Sequence, residues 1–167
     1  LVCVGIVEPR KNQSFLLEVA ESLWERGVKF ELHIVGRVNP HFGRTVVERI
    51  SSMQKRFPQL QFHEAASDDV FSILLERARA VVFPTIAEGC GLPVLEALWR
   101  GLPCVCSDLP VLLENTQAGG CLCLETNNRS EWETGLTQIL AEDKMWRDLA
   151  NQAATRELTT WADSAAE

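Results

Sequence analysis

VVFPTIAEGCGLPVLEALWRGLPCVCSD, residues 81 to 108, decides how this chain reads. It opens on an apolar run, passes a loop bearing Gly89 and Gly91, and enters a segment with Pro93 near its start. Proline suits the first turn of a helix, where its missing N–H is not needed. A helix is therefore expected over Leu92 to Arg100, followed by a strand over Pro103 to Cys106. Both strands are apolar throughout rather than alternating. Such strands are covered on both faces, as in a parallel α/β sheet.

The same alternation extends in both directions. Leu1 to Val7, Phe30 to Val35, Leu60 to His63, Ala80 to Pro84 and Gly120 to Leu124 read as strands. Helices are expected at Ser14 to Gly27, with Leu16, Ala20 and Leu23 on one face, and at Arg44 to Arg56, stopped by Pro58. Ser67 is the expected cap of a helix carrying Val70, Ile73, Leu74 and Ala78 inward. Further helices are expected at Glu131 to Ala141, with Trp132, Leu136, Ile139 and Leu140 on one side, and at Met145 to Leu158. The fold class is α/β: a Rossmann-like, doubly wound parallel sheet of about six strands with helices on both faces.

The chain has 167 residues and 46% hydrophobic content, which suits one domain with its own core. A net charge of -7 argues against a nucleic-acid partner. No apolar run approaches the roughly 20 residues of a membrane span, and no signal peptide is visible. The chain starts at Leu1, already inside a strand-like run, and TTWADSAAE at its end reads as a helix cut short, so a fragment of a longer protein is expected. Of the six cysteines, Cys104, Cys106, Cys121 and Cys123 form two C-x-C pairs, joined by Cys3 and Cys90. The zinc spacing C-x(2–4)-C is missing. They are expected as small core residues in a reducing compartment, and no metal site is assigned.

In a doubly wound sheet, ligands bind beyond the carboxyl ends of the strands, at the switch point. With strand order 3-2-1-4-5-6 that point lies between the first and fourth strands. The loop after the first strand offers Arg10 and Lys11. The loop after the fourth offers Gly89 and Gly91, leading into a helix amino terminus with free N–H groups and partial positive charge. Glycine permits close backbone approach and unusual dihedrals. Together these describe a phosphate or diphosphate site. A P-loop is absent, and Gly5 stands alone where a dinucleotide fingerprint would need three glycines, which argues against an NAD enzyme. Glu88 and Glu96 then need a task other than phosphate binding. Carboxylates accept hydrogen bonds from hydroxyls, so one suits a ribose and the other a sugar, with the diphosphate between them. That is a nucleotide sugar.

EGCGLPVLE, residues 88 to 96, resembles the E-x(7)-E motif of the retaining GT-B glycosyltransferases of family 4, the group 1 glycosyltransferases. VGIVEPRKN at 4 to 12, HIVGR at 33 to 37, ARAVVFPT at 78 to 85, GLPCVCSDLPVLLE at 101 to 114 and a terminal W-x(4)-A match in order along nearly the whole chain. The resemblance implies a carboxy-terminal donor-binding domain over residues 1–167, its amino-terminal acceptor domain lying outside this sequence. It implies Glu88 on the donor sugar, Glu96 on the ribose, Lys11 on the diphosphate, and backbone amides of Gly89, Cys90, Gly91 and Leu92 on sugar and phosphate. Gly5 belongs to the same donor site. Two positions depart from the family pattern. Ile6 follows Gly5 where many members carry arginine, leaving Arg10 to supply that charge, and Cys90 replaces a common aromatic.

The implied reaction is retaining hexosyl transfer from a nucleotide diphosphate sugar to an acceptor hydroxyl. Glu88, Lys11 and Arg10 act at the reacting centre, and neither a metal nor a further cofactor takes part. The EPRKN form favours GDP-mannose, with a UDP-sugar as the alternative. Base contacts are expected from backbone near residues 36 to 38 and 63 to 66. Expected partners are the nucleotide sugar, the chain's own amino-terminal domain, and an acceptor glycan or lipid-linked acceptor. The expected location is cytoplasmic, with any membrane association through the half outside this sequence. The fragment alone is expected to bind donor without turnover. A non-catalytic nucleotide-binding or interaction domain of the same fold is the competing reading. Among the remaining polar residues, His33 is expected to be structural, while His41, Asp108 and Glu114 lie nearer the ligand edge.

Overall fold

A computed structural model describes residues 1–158. TTWADSAAE, with the terminal W-x(4)-A stretch, lies outside the described residues. Strands and helices alternate as β1 (Val2–Val4), α1 (Gln13–Glu25), β2 (Leu32–Val35), α2 (Arg44–Gln54), β3 (Leu60–His63), α3 (Asp68–Glu76), β4 (Val81–Phe83), α4 (Leu92–Trp99), β5 (Cys104–Ser107), α5 (Pro110–Thr116), β6 (Cys121–Leu124), α6 (Arg129–Ala141) and α7 (Asp143–Thr155). The sheet is parallel, in the order β3-β2-β1-β4-β5-β6. The doubly wound expectation holds, and the switch point falls between β1 and β4. Among the described residues no helix is long and apolar enough to cross a membrane.

Strand side chains alternate between two cores. Cys3, Ile34, Leu60, Val82 and Val105 pack under α1, α2 and α6, where Leu16, Leu23, Ile50, Trp132 and Leu136 are fully buried. Val2, Val35, Val81, Phe83, Cys104 and Cys106 face the opposite side, under Leu75 of α3, Val94 and Leu98 of α4, Leu112 of α5 and Ala153 of α7. Three indole N–H groups find carbonyls: Trp24 on Phe30, Trp132 on Glu125 and Trp146 on Arg79, at 3.1, 3.0 and 2.7 Å. A buried donor without such a partner would cost about 1–3 kcal/mol.

Three expectations are corrected. Helix α3 starts after Ser67, whose hydroxyl accepts from the Val70 N–H at 3.4 Å, but Val70 and Ile73 are exposed. The helix packs through Phe71, Leu74 and Leu75 instead, so its apolar stripe is rotated from the expected one. Helix α5 was not expected as an element, because seven residues between two strands carry too short a periodicity to register. Cys90 is exposed rather than buried, since it sits on a loop and not on a strand; Cys3, Cys104 and Cys106 are buried and Cys121 and Cys123 half-buried. The two C-x-C pairs lie side by side in register, Cys104 against Cys121 and Cys106 against Cys123.

Candidate donor-binding site

The loops after β1 and β4 meet at the switch point. After β1 the chain makes a 3-10 turn, Pro9–Lys11, and Asn12 adopts a left-handed conformation before α1 begins. Short polar side chains tolerate that region better than most. Three backbone-directed bonds stitch this turn to the β4 loop. Ile86 N–H donates to the Arg10 carbonyl at 3.0 Å, the Thr85 hydroxyl to the same carbonyl at 3.1 Å, and the Arg10 guanidinium to the Ala87 carbonyl at 2.9 Å. Asn12 adds a bond to the Pro84 carbonyl at 3.1 Å and another to Asn127 Oδ1 at 2.9 Å.

Each cation at this junction is held by a carboxylate. The Lys11 ammonium pairs with Glu88 Oε1 and lies 5.0 Å from the centre of the Phe83 ring, a cation–π distance. Arg10 Nη2 is 2.8 Å from Glu8 Oε1, and its Nη1 is 3.5 Å from Glu88 Oε1. Glu88 and Lys11 are 9% and 11% exposed at the side chain, whereas Arg10 is 46% exposed, so the guanidinium is the cation that faces solvent. Glu8 uses its second oxygen to accept from Asn39 Nδ2 at 2.9 Å. The Asn39 bond, with Arg10 beside it, holds the Glu8 carboxyl below the usual carboxylate range. Asn39 in turn accepts from the His41 and Phe42 N–H groups, tying the β1 loop to the loop after β2.

Beyond the ion pairs the β4 loop runs through Gly89, Cys90 and Gly91 into α4. Gly91 caps α4 with φ +76, a conformation that favours glycine, and any Cβ there would enter the Leu112 side chain. Gly89 has no such need: its φ is not positive, and a Cβ there would meet nothing within 4 Å. The expectation of unusual dihedrals at both glycines is therefore met at Gly91 alone. The Cys90 carbonyl accepts from Asn115 Nδ2 of α5 at 2.6 Å. Among the described residues, the N–H groups of Gly91 and Leu92 donate to no protein acceptor. Glu96, one turn into α4, is exposed and has no ion-pair partner among the described residues.

Next to this junction lies a cavity of about 510 Å³ between the carboxyl ends of β1, β2 and β3. Gly5, Ile6, Gly36, Arg37, Ala65 and Ala66 are among its lining residues. Its size is that of a small-molecule site. Gly5 and Gly36 both line it; a Cβ on Gly36 would enter the Gly5 carbonyl, whereas one on Gly5 would meet only the Lys11 side chain at 3.6 Å.

Other residues take structural posts. His33 Nδ1 lies 3.0 Å from His63 Nε2, with Glu31 at 3.2 Å from its other nitrogen. Asp108 Oδ1 accepts from the Thr126 N–H and hydroxyl, both at 2.8 Å, which holds its carboxyl below the usual range. Glu114 is exposed on α5. Sequence reasoning missed Glu8, Asn12, Asn39, Thr85 and Asn115. The signal for the first four was available, since each is polar and follows directly on a strand or its loop. Asn115 belongs to the helix that went unread.

The comparisons agree with this layout. The model of the family "Glycosyl transferases group 1" matches residues 1–156. The serotype-specific mannosyltransferase WbdA of Escherichia coli is 33% identical over 120 residues, covering 70% of this chain and 14% of that protein. O-antigen chain mannosyltransferase B of Escherichia coli is 30% identical over 148 residues, covering 88% of this chain and 38% of that protein. The chain thus spans well under half the length of these relatives. Among solved structures, the catalytic domain of starch synthase IV from Arabidopsis thaliana, bound to ADP and acarbose, superimposes with a TM-score of 0.77 at 15% identity, over 99% of this chain and 36% of that one, which speaks to the fold. With the motif order, the parallel sheet and the loop junction in place, the chain belongs to the group 1 glycosyltransferase family.

Proposed function

We propose that this chain is the carboxy-terminal, donor-binding domain of a retaining GT-B glycosyltransferase, and that it binds a nucleotide diphosphate sugar. The observation that carries this reading is the junction itself: Arg10, Lys11 and Glu88 are gathered from two loops beside a helix amino terminus whose first N–H groups are free. Ionised donors and a helix terminus suit the diphosphate. The neighbouring cavity suits the base, and Glu96 the ribose hydroxyls. Mannose is the favoured sugar because the two relatives described above are named mannosyltransferases, and GDP the favoured carrier because of the EPRKN form.

In the proposed reaction the bond between the anomeric carbon and the diphosphate oxygen breaks as an acceptor hydroxyl attacks from the same face, and the hydroxyl's proton passes to the departing diphosphate. Arg10, Lys11 and the amides at the start of α4 stabilise the charge that develops on the departing diphosphate, which is where fixed donors are worth most. Glu88 accepts from the sugar hydroxyls and orients the ring. The acceptor site and the second wall of the cleft belong to the domain outside this sequence.

The test is calorimetric titration of the intact protein with GDP-mannose, GDP, UDP-glucose and NAD, repeated for Lys11→Ala and Glu96→Ala. Saturable binding of one nucleotide sugar, weakened by both substitutions, is the expected result. Binding of NAD alone, or binding indifferent to both substitutions, refutes the reading.

A further inference from the structure

We infer that Asn115 is a positioning residue of the donor loop: it sets the Cys90–Gly91 peptide so that the Gly91 N–H is presented to the distal phosphate and sugar. The inference rests on the donor reading given above and assigns a task to a helix that stands outside the motif.

The geometry has three parts. First, Asn115 Nδ2 donates to the Cys90 carbonyl at 2.6 Å. The chain has no cis peptide among the described residues. In a trans peptide the C=O and the following N–H point in opposite directions. A carbonyl turned toward α5 therefore turns the Gly91 N–H away from it. Second, α5 follows β5, while the turn carrying Arg10 and Lys11 follows β1, and β4 lies between the two in the sheet. Away from α5 is thus the direction of the cations. Third, that N–H has no protein acceptor among the described residues, so it is available to a ligand.

Leu112, one turn before Asn115, packs against Gly91 from the same side. It is fully buried, and it occupies the place a Gly91 side chain would take. A Cβ on Gly91 would also stand 3.4 Å from Asn115 Nδ2. One face of α5 therefore holds the loop by packing through Leu112 and by a directed bond through Asn115. Packing alone would leave the peptide free to flip, since the two orientations have nearly the same shape. The amide donor removes that freedom. An aspartate in its place would turn a carboxylate toward the Cys90 carbonyl and favour the flipped peptide.

The experiment compares GDP-mannose with GMP, which has neither the distal phosphate nor the sugar and so does not reach Gly91. Titrations of the intact protein are made for wild type, Asn115→Leu, which keeps the shape without the donor, and Asn115→Asp. The expected result is a roughly ten-fold loss of GDP-mannose affinity in N115L, the scale of one directed hydrogen bond, a larger loss in N115D, and unchanged GMP affinity in both. Equal losses for both ligands mean a merely structural role and overturn the inference, as does no loss for either. A wild-type protein that binds no nucleotide sugar removes the donor reading and this inference together, which is a different result from a binding wild type with an indifferent N115L. A second measurement needs no variant. Cys90–Gly91 is the sole Cys-Gly step in this sequence, so pairing carbonyl-labelled cysteine with amide-labelled glycine picks out this N–H. Its resonance is expected to move with GDP-mannose and not with GMP, and a resonance that ignores GDP-mannose overturns the inference even if N115L does not fold.

Discussion

Replacing Gly36 by alanine tests the floor of the cavity. Gly36 and Gly5 have φ of +155 and +144 and follow directly on the ends of β2 and β1, which pair side by side. A Cβ on Gly36 would stand 2.7 Å from the Gly5 carbonyl carbon and closer still to its oxygen. Ordinary contact begins near 3.4 Å, so the end of β1 must move by at least 0.7 Å (3.4 less 2.7). That obstacle is backbone, and it is already committed: Gly5 N–H bonds the Val35 carbonyl at 3.0 Å and Gly36 N–H the His63 carbonyl at 3.1 Å. The unfavourable φ costs about 1–3 kcal/mol, and overpacking about 1–3 kcal/mol more. The sum, about 2–6 kcal/mol, is a large share of a typical stability of about 5–15 kcal/mol. At this chain length it lowers Tm by about 5–20 °C. Two controls separate the causes. Gly27 has φ +83 with nothing within 4 Å of its Cβ, so Gly27→Ala carries only the conformational cost, about 1 kcal/mol. Gly89 has neither difficulty, and Gly89→Ala is expected to be neutral or to stabilise by about 0.4–1 kcal/mol through the unfolded state. Urea unfolding followed by tryptophan fluorescence ranks the three. Gly36→Ala no more damaging than Gly27→Ala would refute the steric argument.

Three further outcomes follow from the structure. Iodoacetamide should modify the exposed Cys90 well before the buried Cys3, Cys104 and Cys106, as read by peptide mass mapping, and GDP-mannose should slow the reaction at Cys90 if that loop is the sugar site. Burial, and then the neighbouring His33, hold His63 below the ordinary 6.5, so the unfolded chain binds a proton there that the folded chain resists. The stability contributed by neutral His63 is therefore present above pH 6.5 and lost as the pH falls below it, and His63→Gln should flatten that part of a plot of urea midpoint against pH. Lys11→Met removes the ammonium while keeping a long apolar side chain; titration should show GDP-mannose affinity lower by about 10–100-fold, the scale of a charge-assisted hydrogen bond at about 1.5–3 kcal/mol, and unchanged affinity would take Lys11 out of the site.

Much of the fold was legible because its strands are apolar on both faces. VVF in β4 and CVCS in β5 send alternate residues to two different cores, and that leaves no polar position to blur the strand. Helix α3 shows the limit. Its residues carry a helical stripe, but the buried cluster that its Phe71, Leu74 and Leu75 join is drawn from strands and helices elsewhere in the chain and does not appear in its own periodicity. At the site, the charges of Arg10, Lys11 and Glu88 were legible, because loops at the switch point carry the chemistry of this fold. Their pairing was not, because it depends on loops 77 residues apart in sequence being joined through main-chain carbonyls. Asn115 was invisible for the same reason: its partner is the carbonyl of Cys90, and any residue type presents the same carbonyl.

Those pairings also place Glu8 and Glu88 against the two cations. Without ligand, Glu8 and Glu88 oppose Arg10 and Lys11, so the four side chains carry no net charge within a chain of net charge -7. A bare pair of cations would attract any polyanion from a distance. The neutralised set does not, and salt screening acts mainly on such distant attraction between exposed charges. On the proposed reading a diphosphate is then recognised at short range, by the N–H groups of α4 and by Arg10, whose guanidinium is partly free to solvent. If a diphosphate takes up the Lys11 ammonium, sugar hydroxyls are needed at Glu88, because a carboxylate 9% exposed is costly to deprive of its closest partner. On the proposed reading the two halves of a nucleotide sugar are coupled: the phosphate draws away the lysine that Glu88 holds, and the sugar hydroxyls replace it. On that reading a nucleotide without its sugar leaves Glu88 without its closest partner, with only Thr85 and Arg10 beside it at 3.4 and 3.5 Å, which is a physical reason for the site to prefer the intact donor.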